Sequence, residues 1–265
     1  NADADGNPAT QPFDRAGYLD VAPEDKGENV RREICLTLES MGIIPESSHH
    51  EEGPGQNEID FRYSDAMTAA DNALLFASTV RAVAVSNGLY ADFSPKPIPG
   101  ESGNGMHINI SLLQEEGPSV TQYFMAGILD HIREMTAFLN PTEASYRRLG
   151  EKKAPKYVTW SPGNRSQLIR IPAAQGEYKR MELRSPDPMV NPHLAYALVI
   201  FAGLDGARRK LLPPEPMNVN LYTAGSELTA SLTALPGSLA EARKIARESP
   251  FIRGVLPEEL WKDRG

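Results

Sequence analysis

The chain has 265 residues, 40% of them hydrophobic, which suits one large domain or two small ones with a sizeable core. Acidic residues number 35 against 27 basic, and the formal net charge of −8 argues against a general nucleic-acid binder while leaving room for local arginine clusters. The single cysteine, Cys35, cannot close an internal disulfide and fits a reducing cytoplasm; residues 194–204, the longest nearly apolar run, are too few to span a bilayer, and no secretory signal is evident.

The opening residues, Asn1-Ala2-Asp3-Ala4-Asp5-Gly6, read as a loop within a longer polypeptide. Val30, Ile34, Leu38 and Met41 follow with helical spacing and predict a helix over 24–41, with Gly42 as its stop. The stretch His49-His50-Glu51-Glu52-Gly53-Pro54-Gly55-Gln56-Asn57-Glu58-Ile59-Asp60-Phe61 then gathers imidazoles and carboxylates around a Gly-Pro-Gly turn. Glu51 and Glu58 differ in position by an odd offset, so on one straight strand they point to opposite faces. A reversal at Gly53-Pro54-Gly55 would aim both at one point, where hard oxygen ligands suit magnesium or manganese; the alternative is a polar surface hairpin.

Ser64 is the expected cap of an Ala-rich helix over 66–85, closed by Asn87-Gly88, and Pro95, Pro97 and Pro99 keep the next segment extended. Across 105–112, Met106, Ile108, Ile110 and Leu112 alternate with His107, Asn109 and Ser111, which predicts a strand with one buried and one functional face. A helix over 120–139 stops before Asn140-Pro141, and a basic, turn-rich segment over 146–155 reads as a flap. Strands are expected at 157–160, 167–171 and 179–184, the last with Arg180, Glu182 and Arg184 on one face and Met181 and Leu183 on the other. Asn191 and Pro192 open a helix whose apolar body ends near Leu204, Ser238 and Glu241 form a capping box, and a short helix covers 257–261.

A lone His107 is more often a hydrogen-bonded bystander than a ligand, and Arg180-Glu182-Arg184 alone reads as a surface ion-pair ladder. Jointly they say more: one packed sheet would gather Glu51, Glu58, His107, Glu182 and several arginines into one concavity. Carboxylates and imidazole hold divalent cations, while arginines hold phosphate and carboxylate. That combination suits phosphoryl transfer from a nucleotide, with no Walker-type loop to hold it.

Four ordered blocks now carry a resemblance. They are His49-His50-Glu51 to Asp60; Lys96-Pro97 through Gly103-Asn104-Gly105-Met106-His107; Asn140-Pro141-Thr142 through Asn164-Arg165-Ser166 and Arg170-Ile171-Pro172; and Arg180-Met181-Glu182-Leu183-Arg184 through Pro186-Asp187-Pro188 and Asn191-Pro192. The chain resembles the carboxy-terminal catalytic domain of glutamine synthetases, with the similarity densest over residues 12–210 and looser in the tail. The resemblance implies an α+β fold, a curved and largely antiparallel sheet flanked by helices, with residues 1–265 forming a partial catalytic domain. It implies an ATP-dependent ligase that phosphorylates the glutamate γ-carboxylate and replaces phosphate with ammonia or another amine, using two magnesium or manganese ions.

By position, Glu51 and Glu58 match ligands of one ion, and His107 and Glu182 ligands of the other. Glu46, Asn109, Ser111, Arg165, Arg170 and Arg180 fall at the nucleotide side, Ser102, Gly103, His107, Arg148 and Arg184 at the glutamate side, and Arg165 is expected to stabilise the transferring phosphoryl group. The family also implies an amino-terminal domain, an upstream Glu-x-Glu strand giving one ligand to each ion, and homo-oligomeric rings in which a neighbour completes each site. No nucleic acid or membrane partner is implied.

Three departures bear on the substrate. Ser102 stands where the family usually has Asn, and Asn109 where a second His is common. Lys153 occupies the flap position normally held by a Glu that attracts and deprotonates ammonium, in a loop one residue shorter. A protonated lysine does neither, so the expected substrate is an amine other than ammonia, or an altered acid, unless Glu151 takes over the flap role. A catalytically silent binding or structural protein is the third reading.

Overall fold

The computed structural model describes residues 11–113, 119–174, 176 and 179–262, so the first ten residues of the expected amino-terminal loop lie outside it. The chain divides into two compact units, one of Asn1–Phe93 with Pro97–Ser102 and the other of Ser94–Lys96 with Gly103–Gly265.

In the first unit, α1 (Glu28–Ser40) and α2 (Ala66–Ser86) accompany a two-stranded antiparallel sheet of β1 (Pro45–His50) and β2 (Asn57–Phe61). Ile34, Leu38, Ile43 and Val83 form its core, with Val30, Ile59, Phe61, Phe76 and Val80 packed against them. The helical stripe is therefore the buried one, except that Met41, at the C-cap, is exposed. Gly42 follows with φ +85°, the left-handed geometry that ends a helix. The cap of α2 is Asp65 and not Ser64: the Asp65 carboxylate accepts the N–H groups of Met67 and Thr68, while the Ser64 hydroxyl donates to the Asp65 carbonyl. Either residue type can cap, and the reach to the first-turn amides selects the one adjoining the helix.

The second unit is built on a four-stranded sheet ordered β3-β6-β5-β4, from β3 (Ile108–Ile110), β4 (Trp160–Pro162), β5 (Ile169–Ile171) and β6 (Met181–Leu183). β6 runs antiparallel to both neighbours, while β4 and β5 are parallel. The sheet is thus mixed, and the hairpin belongs to a separate sheet, so the expectation of one sheet carrying every polar strand face is corrected. β3, β5 and β6 are also shorter than expected, because ladder pairing ends before the sequence pattern does, and β4 is displaced, meeting the expected 157–160 only at Trp160. The alternation itself holds: Ile108 is buried, and Met106, Ile110 and Leu112 pack against the core that contains Ile169, Met181 and Leu183.

Helices α3 (Ser119–Leu139) and α5 (Pro192–Arg209) supply much of the rest of that core, with Ile128, Ile132, Met135 and Leu139 from one and Ala195, Leu198 and Ala202 from the other. The Asn191 side chain accepts the Leu194 N–H, as expected for an N-cap followed by Pro192. α4 (Glu143–Arg148) absorbs the start of the segment read as a flap, leaving turns only from residue 149. Thr142 and Ser145 explain why, since they form a reciprocal capping box.

The tail holds α7 (Leu239–Glu248) and α9 (Glu258–Trp261), and also α6 (Ser226–Ala230) and α8 (Pro250–Val255), which were not expected. The box at Ser238 is only half present. Ser238 accepts the Glu241 N–H, but the Glu241 carboxylate takes the Gly237 N–H.

α3 and α5 approach closely because glycines meet at their crossing. A Cβ added to Gly206 would lie 2.6 Å from Gly127 Cα, a distance real Cβ atoms do not adopt. Gly206→Ala is therefore expected to destabilise the unit by about 1–3 kcal/mol through overpacking, read as a lower urea midpoint at unchanged m-value.

The same seam carries His131, whose Nδ1 lies 2.6 Å from Glu134 Oε2 and whose Nε2 lies 2.9 Å from Asp205 Oδ2, with the ring stacked on Phe251 at 3.9 Å. Burial opposes the charged ring, but its hydrogen bonds to Glu134 and Asp205 and the charges of Glu134 and Asp130 outweigh it and raise its pKa. A raised folded-state pKa gives stabilisation that is complete below about pH 6.5 and lost as pH rises through the folded value. Thermal melts across the neutral range should show this alkaline loss, and His131→Gln should remove it.

Candidate functional site

The hairpin resolves the parity of Glu51 and Glu58. His49 lies directly opposite Glu58 in the β1/β2 register, and Glu51 follows two residues after His49 on the same face. The turn closes through Glu51 N–H to Gln56 O at 2.8 Å and Gln56 N–H to Gly53 O at 2.9 Å, with Gly55 at φ +66°. Ligand atoms of His49, Glu51 and Glu58 consequently lie within 4.8 Å of one another, all three half-buried. Two carboxylates and an imidazole form a donor set suited to magnesium or manganese. His49 was not among the expected ligands; its position opposite Glu58 depends on the register, which spacing alone does not specify.

Ser102 is 6% exposed, and its hydroxyl donates to Glu52 Oε2 at 2.5 Å. It therefore braces the residue beside Glu51. Glu46, also expected at the nucleotide side, stands exposed on β1 of the same unit.

In the second unit the sheet register places Asn109, Glu182 and Arg170 in one row across β3, β6 and β5. Glu182 is its centre. His107 Nδ1 approaches Glu182 Oε1 at 3.0 Å, Arg170 Nε donates to Oε2 at 2.5 Å, and Arg184 Nε lies 3.5 Å from Oε1. Burial works against ionising this carboxyl, yet the hydrogen bond His107 donates to it, with the Arg184 charge and the Arg170 hydrogen bond, holds it well below the usual carboxylate range. Desolvation acts on His107 as well; together with the Arg184 and Arg148 charges it outweighs the hydrogen bond to Glu182 and the Glu182 charge and lowers the imidazole pKa, which favours the neutral ring a metal requires.

Arg184 is 3% exposed, and its buried Nε and Nη1 have no hydrogen-bond partner among the described residues. Unsatisfied guanidinium donors beside a metal-type carboxylate are donors for an anionic ligand. Arg148 differs. It is 2% exposed, runs against Gly103 and Gly105, and donates to the Ser185 and Arg184 carbonyls at 2.8 and 3.2 Å. Burial lowers its pKa to about 10, and the nearby Asp187 charge opposes that shift.

Arg180 Nε donates to Asn109 Oδ1 at 3.0 Å, which joins two expected nucleotide-side residues; Ser111 lies exposed just past β3, and Arg165 exposed in the β4–β5 connection. Tyr222 donates its hydroxyl to the Arg165 carbonyl at 3.2 Å. Tyr222 also lines a cavity of about 380 Å³ with Glu151, Lys152, Lys156, Tyr157 and Ser166. Lys153 is not among its lining residues and adopts left-handed φ +57°. Tyr222 was not anticipated, since nothing in its local pattern marks it.

Comparison with known proteins gives the family. The family model described as "Glutamine synthetase, catalytic domain" matches residues 2–263. Glutamine synthetase of Thermus thermophilus is 44% identical over 272 residues, covering 97% of this chain and 61% of the relative, and that of Methanosarcina mazei is 44% identical over 275 residues, covering 98% and 61%. The chain thus spans about three fifths of the length of these curated relatives. Among solved structures, a GmaS/ADP complex superposes with TM-score 0.85 at 30% identity, covering 96% of this chain and 63% of the other. A Plasmodium falciparum glutamine synthetase gives 0.81 at 28%, covering 94% and 59%.

The depressed pKa of Glu182 has a definite sign. Its stabilisation is present above the unfolded value, about 4.3, and is lost as pH falls through the folded value. Acid unfolding followed by circular dichroism should accordingly show a low-pH limb that Glu182→Gln flattens.

Proposed function

Because the chain belongs to the glutamine synthetase family, through its catalytic domain, we propose that the parent protein is an ATP-dependent ligase that joins the γ-carboxylate of glutamate to ammonia, forming a C–N bond. The observation that carries the reading is the Glu182 centre, where a carboxylate and a neutral imidazole suited to a divalent ion adjoin an arginine with unsatisfied buried donors.

On this reading a carboxylate oxygen of glutamate attacks the terminal phosphorus of ATP. ADP leaves, and the amine nitrogen then attacks the resulting acyl phosphate, expelling phosphate and losing a proton. Glu51 and Glu58, joined by His49, hold one magnesium or manganese ion, and His107 and Glu182 hold the other. Those ions, when bound, neutralise phosphate charge. Arg184 fits an anionic oxygen of the substrate through its unsatisfied donors. Arg165 and Arg170 accompany the phosphate, with Arg165 assigned to the transferring group; Asn109 steadies Arg180 at the nucleotide side, where Glu46 and Ser111 are also assigned. Arg148 shapes the glutamate pocket through the segment that contains Gly103, and Ser102 acts through Glu52. The reaction is assigned to the cytoplasm, where ATP is supplied, in a homo-oligomeric ring.

Glu151 supports ammonia as the amine. Glu151 lines the cavity, and a carboxylate there suits concentrating ammonium and accepting its proton, whereas Lys153 does not line it. A second reading, an amine other than ammonia, is favoured by Lys152 and Lys156 on the same wall, since two cations oppose accumulation of a third.

The test is phosphate release by the full-length protein with glutamate, ATP and a panel of ammonia, methylamine, ethanolamine and polyamines. Preference for ammonia, lost about 100-fold or more in Glu151→Gln and retained in Lys153→Gln, supports the first reading. Preference for a larger amine, indifferent to Glu151, installs the second, and no turnover with any amine favours a binding or structural role.

A further inference from the structure

Two buried residues outside the proposed ligand set, Asp14 and His50, tie the ends of the hairpin turn together. His50 has no exposed side-chain surface, and Asp14 is 5% exposed. Each ring nitrogen of His50 lies against an acceptor: Nε2 is 2.8 Å from Asp14 Oδ1, and Nδ1 is 2.6 Å from the carbonyl of Glu51. Asp14 Oδ1 also accepts the Gly55 N–H at 3.0 Å, and Oδ2 accepts the Lys26 N–H at 3.1 Å.

One carboxylate therefore grips the turn on both sides. Through His50 it fixes the peptide of Glu51, and through Gly55 it fixes the left-handed residue that directs the chain toward Glu58. Glu51 and Glu58 do not share a rigid strand, so the separation of their carboxylates is set by this turn. The turn's own hydrogen bonds close it but do not anchor it to the rest of the unit.

We propose that Asp14 and His50 are positioning residues for divalent-cation binding at the hairpin, holding the turn in the shape that converges His49, Glu51 and Glu58. The inference rests on the metal reading of that hairpin given above. Partners that orient ligands in this way contribute about 10- to 100-fold to metal affinity.

The experiment is a manganese titration of the full-length protein, followed by electron paramagnetic resonance of the free ion, with melting curves recorded in parallel. Glu51→Gln identifies which class of bound ion belongs to the hairpin. If Glu51→Gln removes no class, the metal reading itself fails. If it removes one, Asp14→Asn and His50→Gln should weaken that class about 10- to 100-fold while each variant remains folded at the measuring temperature and the other class is unchanged. Unchanged manganese affinity in the folded variants, with only a lower melting temperature, overturns the proposal and leaves a purely structural pair. Should the variants fail to fold, amide exchange on the unaltered protein decides: manganese should slow exchange at Gly55 and Lys26, and equal rates with and without the ion overturn the proposal.

Discussion

A buried carboxylate stays ionised only where cations and donors replace the water it has lost, and Glu182 shows what that demands of the second unit. At an effective dielectric of 20, two unit charges about 4 Å apart interact by roughly 4 kcal/mol, comparable to what a whole domain retains as net stability. Its partners come from three places: His107 before β3, Arg170 on β5 and Arg184 after β6. Strand pairing is thus coupled to charge pairing. A one-residue slip of β6 would turn Glu182 toward the apolar core that holds Ile169 and put Leu183 on the polar face.

That coupling explains the rigidity behind the sheet. The apolar face of β3, β5 and β6 belongs to one core with α3 and α5, whose close approach depends on glycine at the crossing. Side chains on the opposite face are then aimed by short strands with little freedom of their own. Arg148 extends the effect beyond the sheet, because its buried guanidinium holds the carbonyls of Arg184 and Ser185. An arginine in this role is a structural cation, and a lysine could not supply two donors in one plane.

The hairpin follows another logic. Its ligand residues flank a turn, where backbone freedom is greatest, and the turn is stiffened from outside by buried polar contacts. Asp14, His50 and the Ser102–Glu52 bond supply that stiffness. Ser102, read from the resemblance as a substrate contact, thus has a hydroxyl committed to the protein. A shorter side chain at that position reaches the neighbouring carboxylate and no farther.

Much of this was legible in the sequence because it depends on local periodicity and composition. Helical spacing located α1, terminal signals at Asn140-Pro141 and Asn191-Pro192 bounded α3 and opened α5, alternation identified the polar faces at His107, Asn109, Arg180, Glu182 and Arg184, and ordered motif blocks pointed to the family. A period of two assigns a residue to a face but says nothing about which strand lies beside it. Register across β3, β6 and β5, the split into two sheets and the place of His49 opposite Glu58 were therefore decided only by tertiary pairing. The same holds for contacts distant along the chain: Asp14 with His50, Ser102 with Glu52, and Tyr222 with Arg165. Local pattern marks a side chain as polar, and only the folded chain determines whether that polar atom meets solvent, a ligand or another residue, because the cost of leaving it unpaired arises when the structure closes around it.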